Sequence, residues 1–123
     1  MLQVGDLAVI QSGDPHHPYF LLQLTCKPFE TEIDVTDDYG HTFPSHHRVI
    51  RGHYLERFKE VKEGEIFYLE TKKTAYVSSL CVAGVCPELS EVTGKRKGKE
   101  ENIFLVNEDI HQALVELVIA CFH

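Results

Sequence analysis

VGDLAVIQS, Val4 to Ser12, is answered by PYFLLQLT, Pro18 to Thr25, and the fold turns on how these two runs are read together. The first is short, β-branched and leucine-rich, and Gly5-Asp6 opens it with a turn signal, the pattern of a first strand. The second has the same apolar density. SGDPHHP, which links them, is too polar and too rich in Pro and Gly to be anything but a loop. Val4 to Thr25 is therefore predicted as a β-hairpin, and the rest of the chain as what completes its sheet.

Working outward, Ile33 and Val35 alternate with polar residues and lead into Asp37-Asp38-Tyr39-Gly40, which predicts a third strand and a tight turn. The return strand is expected to begin at His41 to Phe43, to be interrupted at Pro44-Ser45, and to resume from Val49 to Leu55, with Gly52 as a bulge. Arg57 to Glu65 reads as a charged surface loop or one helical turn. Ile66 to Glu70 is a compact strand, Thr71-Lys72-Lys73 a turn, and Thr74 to Cys86 one bent strand or two short ones. Pro87 ends pairing, Leu89 to Val92 is indeterminate, and Thr93 to Asn102, with its GKRKGKEEN run, reads as a mobile basic linker. Ile103 to Val106 is the closing strand. Asn107 then caps a helix over 108–122, whose apolar face is Ile110, Leu114, Leu117, Val118 and Cys121.

A chain of 123 residues, 43% hydrophobic and 25% charged, fits a single domain with its own core. No apolar run approaches the roughly 20 residues that span a bilayer, and no signal peptide is evident, so an intracellular protein with buried free thiols at Cys26, Cys81, Cys86 and Cys121 is expected. The formal charge is −7. Before residue 42 the one basic side chain is Lys27, against Asp6, Asp14, Glu30, Glu32, Asp34, Asp37 and Asp38. That acidic first third suits a basic peptide as partner and argues against a whole-domain nucleic-acid surface.

The Gly5-Asp6 strand opening, the Tyr19-Phe20 pair and the Asp38-Tyr39-Gly40 turn resemble the SH3-like barrels of chromatin readers. The first 55 or so residues resemble a Tudor barrel. The whole chain resembles a bromo-adjacent homology (BAH) domain, with GEIFYLETKKTAYVSSLCVAGVCP and ENIFLVNEDI matching the later strands of that pattern. The resemblance implies a mostly β, SH3-like barrel with accessory strands and one C-terminal helix, in a nuclear, chromatin-associated protein. In such a barrel Tyr19, Phe20, Tyr39 and Phe43 lie in or beside loops that meet at one end. Backed by Asp37 and Asp38, they would form an aromatic cage for a basic side chain, methylated or not, as on a histone tail.

Other constellations carry less. His16-His17 and His46-His47, with His41 and His53 nearby, offer imidazoles, but the cysteine spacing does not make a structural zinc pattern, so neither metal nor cofactor is expected. No nucleophile, base and orienting acid fall at meaningful spacing, and catalysis is not expected. Besides a small enzyme or metal protein, which metal retained on purification would favour, two rival readings remain. One is self-association through an exposed strand edge or the outer helix face. The other is nucleic-acid binding through Lys95, Arg96, Lys97 and Lys99, with Arg48, Arg51 and Arg57 in support.

Overall fold

The computed structural model describes residues 2–62, 65–86, 89–96 and 99–122. Its first elements are the predicted hairpin: β1 (Leu7–Gln11) pairs antiparallel with β2 (Tyr19–Leu24), Leu7 opposite Gln23 and Gln11 opposite Tyr19. Neither strand alternates cleanly between apolar and polar residues, because both faces of the hairpin are covered. Ala8, Ile10, Leu22 and Leu24 enter one core with Ile50. Val9, Tyr19 and Leu21 enter a second with Leu55, Ile66, Tyr68, Val106, Leu114 and Val118. A strand buried on both sides reads as a continuous apolar run.

Next come β3 (Phe29–Thr36), β4 (Thr42–Lys62), β5 (Glu65–Ser78), a 3-10 turn (Ser79–Cys81), β6 (Val82–Val85), β7 (Ser90–Arg96) and β8 (Lys99–Val106). They form one antiparallel sheet in the order β6-β1-β2-β4-β5-β8-β7, with β3 branching off β4. The sheet is open. β6 and β7 end the order and do not pair with each other, so the closed SH3-like barrel expected from the resemblance is not formed.

Four further expectations change. The charged segment predicted as a loop after Arg57 continues β4 to Lys62, pairing with β5. The turn predicted at Thr71-Lys72-Lys73 is a bulge inside β5: His53 faces Thr74 while Leu55 faces Glu70, so three residues, Thr71 to Lys73, stand opposite the single Tyr54. The Thr71 hydroxyl donates to the Tyr54 carbonyl at 2.6 Å, which holds the bulge closed. Of the segment read as a linker, Thr93 to Arg96 and Lys99 to Asn102 supply paired backbone of β7 and β8, with Thr93 opposite Asn102 and Lys95 opposite Glu100, and Lys97 and Gly98 lie outside the described residues.

Pro44 does not interrupt β4 either, and the pairing pattern explains why. Asp37 N–H donates to the His41 carbonyl at 2.9 Å, which fixes the alternation of hydrogen-bonded and non-hydrogen-bonded pairs down the β3–β4 ladder. Val35–Phe43 and Ile33–Ser45 fall on bonded pairs, whereas Asp34–Pro44 falls on a non-bonded one. A non-bonded residue turns its N–H away from its partner strand, so proline's missing donor costs this ladder nothing.

The helix forms where predicted, and of its expected apolar face Cys121 alone is exposed. α1 (Glu108–Phe122) starts with the Asn107 side chain accepting from Ile110 N–H at 2.9 Å, and Glu108 and Asp109 occupy the first turn. Leu114 and Val118 are buried, Ile110 and Leu117 pack at the border, and the Cys121 thiol donates to the Ala83 carbonyl at 3.1 Å. The helix thus lies against β6, β1 and β2.

Candidate functional site

Of the predicted ligand residues, Asp37, Asp38, Tyr39 and Phe43 lie on the β3–β4 ribbon and its turn, and all but the half-buried Asp37 are exposed. Between Phe29–Val49 and Thr36–Thr42 the ribbon runs for eight paired positions, about 25 Å at the usual strand rise. β5 joins β4 only from Val49 onward. The tip is built by Asp37, whose Oδ1 accepts from Tyr39 N–H and from His41 N–H, both at 2.9 Å, while Gly40 takes a φ of 81° that side-chain-bearing residues seldom adopt. Asp37 Oδ2 lies 3.4 Å from His41 Nδ1. Asp37 is therefore spent on the turn, whereas Asp38 and Tyr39 point outward, Tyr39 with 88% of its surface exposed.

The ribbon has two unlike faces, because opposite residues of an antiparallel pair share a face. One carries Glu30 opposite Arg48, Glu32 opposite His46, Asp34 opposite Pro44 and Thr36 opposite Thr42. All eight are exposed, and Glu32 Oε1 lies 3.2 Å from His46 Nε2. The other carries Phe29, Thr31, Ile33 and Val35 opposite Val49, His47, Ser45 and Phe43. Ile33 and Phe43 are 41% and 46% exposed there, and His47 Nε2 is buried with no hydrogen-bond partner among the described residues.

The expected cage does not assemble. Tyr19 is a core residue, 5% exposed, whose hydroxyl is hydrogen-bonded to His111 Nδ1 at 2.8 Å. Burial pushes its phenol well above the ordinary value, with the neighbouring Tyr68 adding to the shift. Phe20 leans on Tyr54, ring centroids 5.9 Å apart, on the opposite face of the sheet. Leu21, beside both, pairs with Leu55, twelve residues along β4 from Phe43 and so roughly 40 Å of strand away. Asp37, Asp38, Tyr39 and Phe43 stay together at the ribbon tip, and Tyr19 and Phe20 belong to the body. A closed barrel would have brought its loops to one end; the open sheet extends β3 and β4 away from that end.

The basic alternative is placed as follows. Lys95, Arg96 and Lys99 sit at the end of the β7–β8 hairpin, with Lys95 in register with Glu100, and Lys97 lies outside the described residues. Arg51 is engaged at the ribbon's root, its guanidinium 5.7 Å from the Phe29 ring centre and 5.9 Å from that of Tyr76.

One feature had no sequence signal beyond Pro15, Pro18 and Phe122. An open cavity of about 250 Å³ separates the β1–β2 loop from the last turns of α1, lined by Gln11, Asp14, Pro15, Pro18, Val118 and Phe122 among others. Asp14 Oδ1 there accepts from His16 N–H at 2.9 Å, a bond that holds the carboxyl below its ordinary range. Among the described residues no three His, Cys, Asp or Glu side chains converge as a metal site would require; the four cysteines are free thiols, but only Cys86 is buried as expected, Cys26 and Cys81 being half-buried and Cys121 exposed. Comparison with protein-family models, curated proteins and solved structures finds no match to this chain.

Proposed function

We propose that the chain is a non-catalytic interaction module that binds a basic peptide segment on the β3–β4 ribbon. The observation that carries this reading is the exposed row Glu30, Glu32 and Asp34, continued by Asp38 at the tip, on a two-stranded arm whose other face exposes Ile33 and Phe43. Cationic side chains gain from the first face and their apolar neighbours from the second. A two-stranded ribbon is marginal alone, so a ligand that covers it also stabilises it.

The resemblance to BAH and Tudor domains adds a histone tail as partner and the nucleus as location, and this part of the proposal stands on the short motifs alone. Any preference for methylated lysine would fall to Tyr39 and Phe43, the exposed aromatics near the tip. The test is an NMR titration of the labelled chain with Lys- and Arg-rich peptides, unmodified and methylated, at low and high salt. Shifts confined to residues 29–49 support the reading, and shifts scattered over the body or absent altogether refute it. Self-association is the second reading, favoured by Leu80, which is 80% exposed on the 3-10 turn that leads into β6, an end strand of the sheet. Solution mass by light scattering separates the two.

A further inference from the structure

The two edges of the ribbon are not equivalent. By the alternation that Asp37 and His41 fix, the residues whose N–H and C=O groups turn outward are Glu30, Glu32, Asp34 and Thr36 on β3, and Thr42, Pro44, His46 and Arg48 on β4. The β4 edge is broken at its second position by Pro44, which has no donor to offer a further strand. The β3 edge has no such interruption. β3 pairs with β4 alone, and among the described residues no backbone hydrogen bond takes up the outward groups of Glu30, Glu32 and Asp34.

We infer that β3 accepts an added antiparallel strand from a basic partner, which pairs along Glu30 to Thr36 and extends the ribbon from two strands to three. This rests on the peptide-binding reading above and specifies its geometry. A strand so placed lies about 4.8 Å from β3, and its alternate residues stand beside Glu30, Glu32 and Asp34 on one face. Those positions take Lys or Arg. The residues between them fall beside Thr31, Ile33 and Val35 and take apolar, β-branched side chains. The ligand is thus a segment in which basic and apolar residues alternate. A second copy of β3 fits poorly on the same edge, because it would set acidic side chains against acidic side chains on the same face.

The experiment uses the intact chain and a dye-labelled heptapeptide, Lys-Val-Lys-Ile-Lys-Val-Lys, read by fluorescence anisotropy. A block-ordered peptide of the same composition holds charge constant while removing the alternation. Two N-methylated versions remove backbone donors, one at the internal lysines and one at the apolar residues. In antiparallel pairing the lysines opposite the acidic residues exchange hydrogen bonds with β3, while the N–H groups of the apolar residues face away. Expected is a loss of at least tenfold on lysine N-methylation, less than threefold on apolar N-methylation, and at least tenfold weaker binding of the block peptide. On the protein, Asp34→Pro removes one outward donor and one charge, and Asp34→Ala removes the charge alone. Neither touches the β3–β4 bonds, and Asp34→Pro should bind at least threefold more weakly than Asp34→Ala. If all four peptides bind equally, strand addition is overturned while a charge-based binding module survives. If none binds, both readings fall. A dimer whose interface maps to residues 30–36 also overturns the inference, since the edge then serves a second copy.

Discussion

Gly52→Ala should be among the most damaging small substitutions in the chain. Gly52 sits where β4 leaves the ribbon and enters the body, paired with Leu24 on one side and Ala75 on the other. A methyl group there would press on the Gln23 carbonyl oxygen and lie 2.7 Å from the carbonyl carbon and 3.0 Å from Leu22 Cγ. Carbon atoms pack at about 3.5 to 4 Å, so β2 would have to retreat by about 1 Å. What blocks the methyl is backbone, which cannot rotate aside, and moving it strains the β2–β4 ladder bonds, each worth about 1 kcal/mol net. Adding the overpacking term, about 1 to 3 kcal/mol, the loss is about 3 kcal/mol, a large share of a stability of about 5 to 15 kcal/mol. Urea denaturation followed by circular dichroism should show the midpoint falling by about 1.5 M for a slope of about 2 kcal/mol per M. Gly84→Ala is the control. Its methyl would lie 2.9 Å from Leu117 Cδ2, the free end of a side chain that can turn, and should cost below about 1 kcal/mol. A Gly52→Ala midpoint within about 0.3 M of the parent would refute the close approach of β2 and β4.

Three further outcomes follow from the helix and the core. Asn107→Ala removes the side chain that accepts from Ile110 N–H and should cost about 1 kcal/mol, read in the same urea assay, with Asn107→Asp largely retaining the stability. Cys86 is buried, and burial pushes its thiol from the ordinary 9.0 to about 11. Alkylation mapped by mass spectrometry at pH 9 should find Cys86 roughly fiftyfold slower than a thiol of ordinary acidity, since the thiolate is the reactive form. The unfolded chain loses this proton near pH 9 and the folded chain keeps it to about pH 11, so the Cys86 contribution is complete below 9 and is lost as pH rises to 11. Thermal midpoints should decline over that window, and Cys86→Ala should flatten the decline.

The strands legible in the sequence were those whose neighbours in space are also neighbours along the chain. The Val4–Thr25 hairpin, the turn at Asp37 to Gly40 and the Asn107 cap are each specified by residues within a few positions of one another. Closure of the sheet was not legible, because it depends on whether β6 meets β7, and nothing local to either strand records that. The candidate cage failed for the same reason: placing Tyr19 and Phe20 beside Tyr39 presupposed the closure. The Thr71 to Lys73 residues were recognised as turn formers, and the fold uses them to bend a strand; turn chemistry fixes local backbone shape but not whether pairing stops there.

Pro44 shows how one residue carries different information at the two levels. In the sequence it signals the end of a strand, because a central strand cannot spare the donor. In the ribbon its missing N–H points to the outer edge of β4, where the absence withholds that edge from further pairing. The acidic residues of β3 lie across the ladder from it and leave their own donors and acceptors exposed. An arm of two strands with one blocked edge and one charged, unblocked edge has a direction in which it can grow. That asymmetry, more than the net charge of −7, is what the proposed addition of a strand with alternating basic residues rests on.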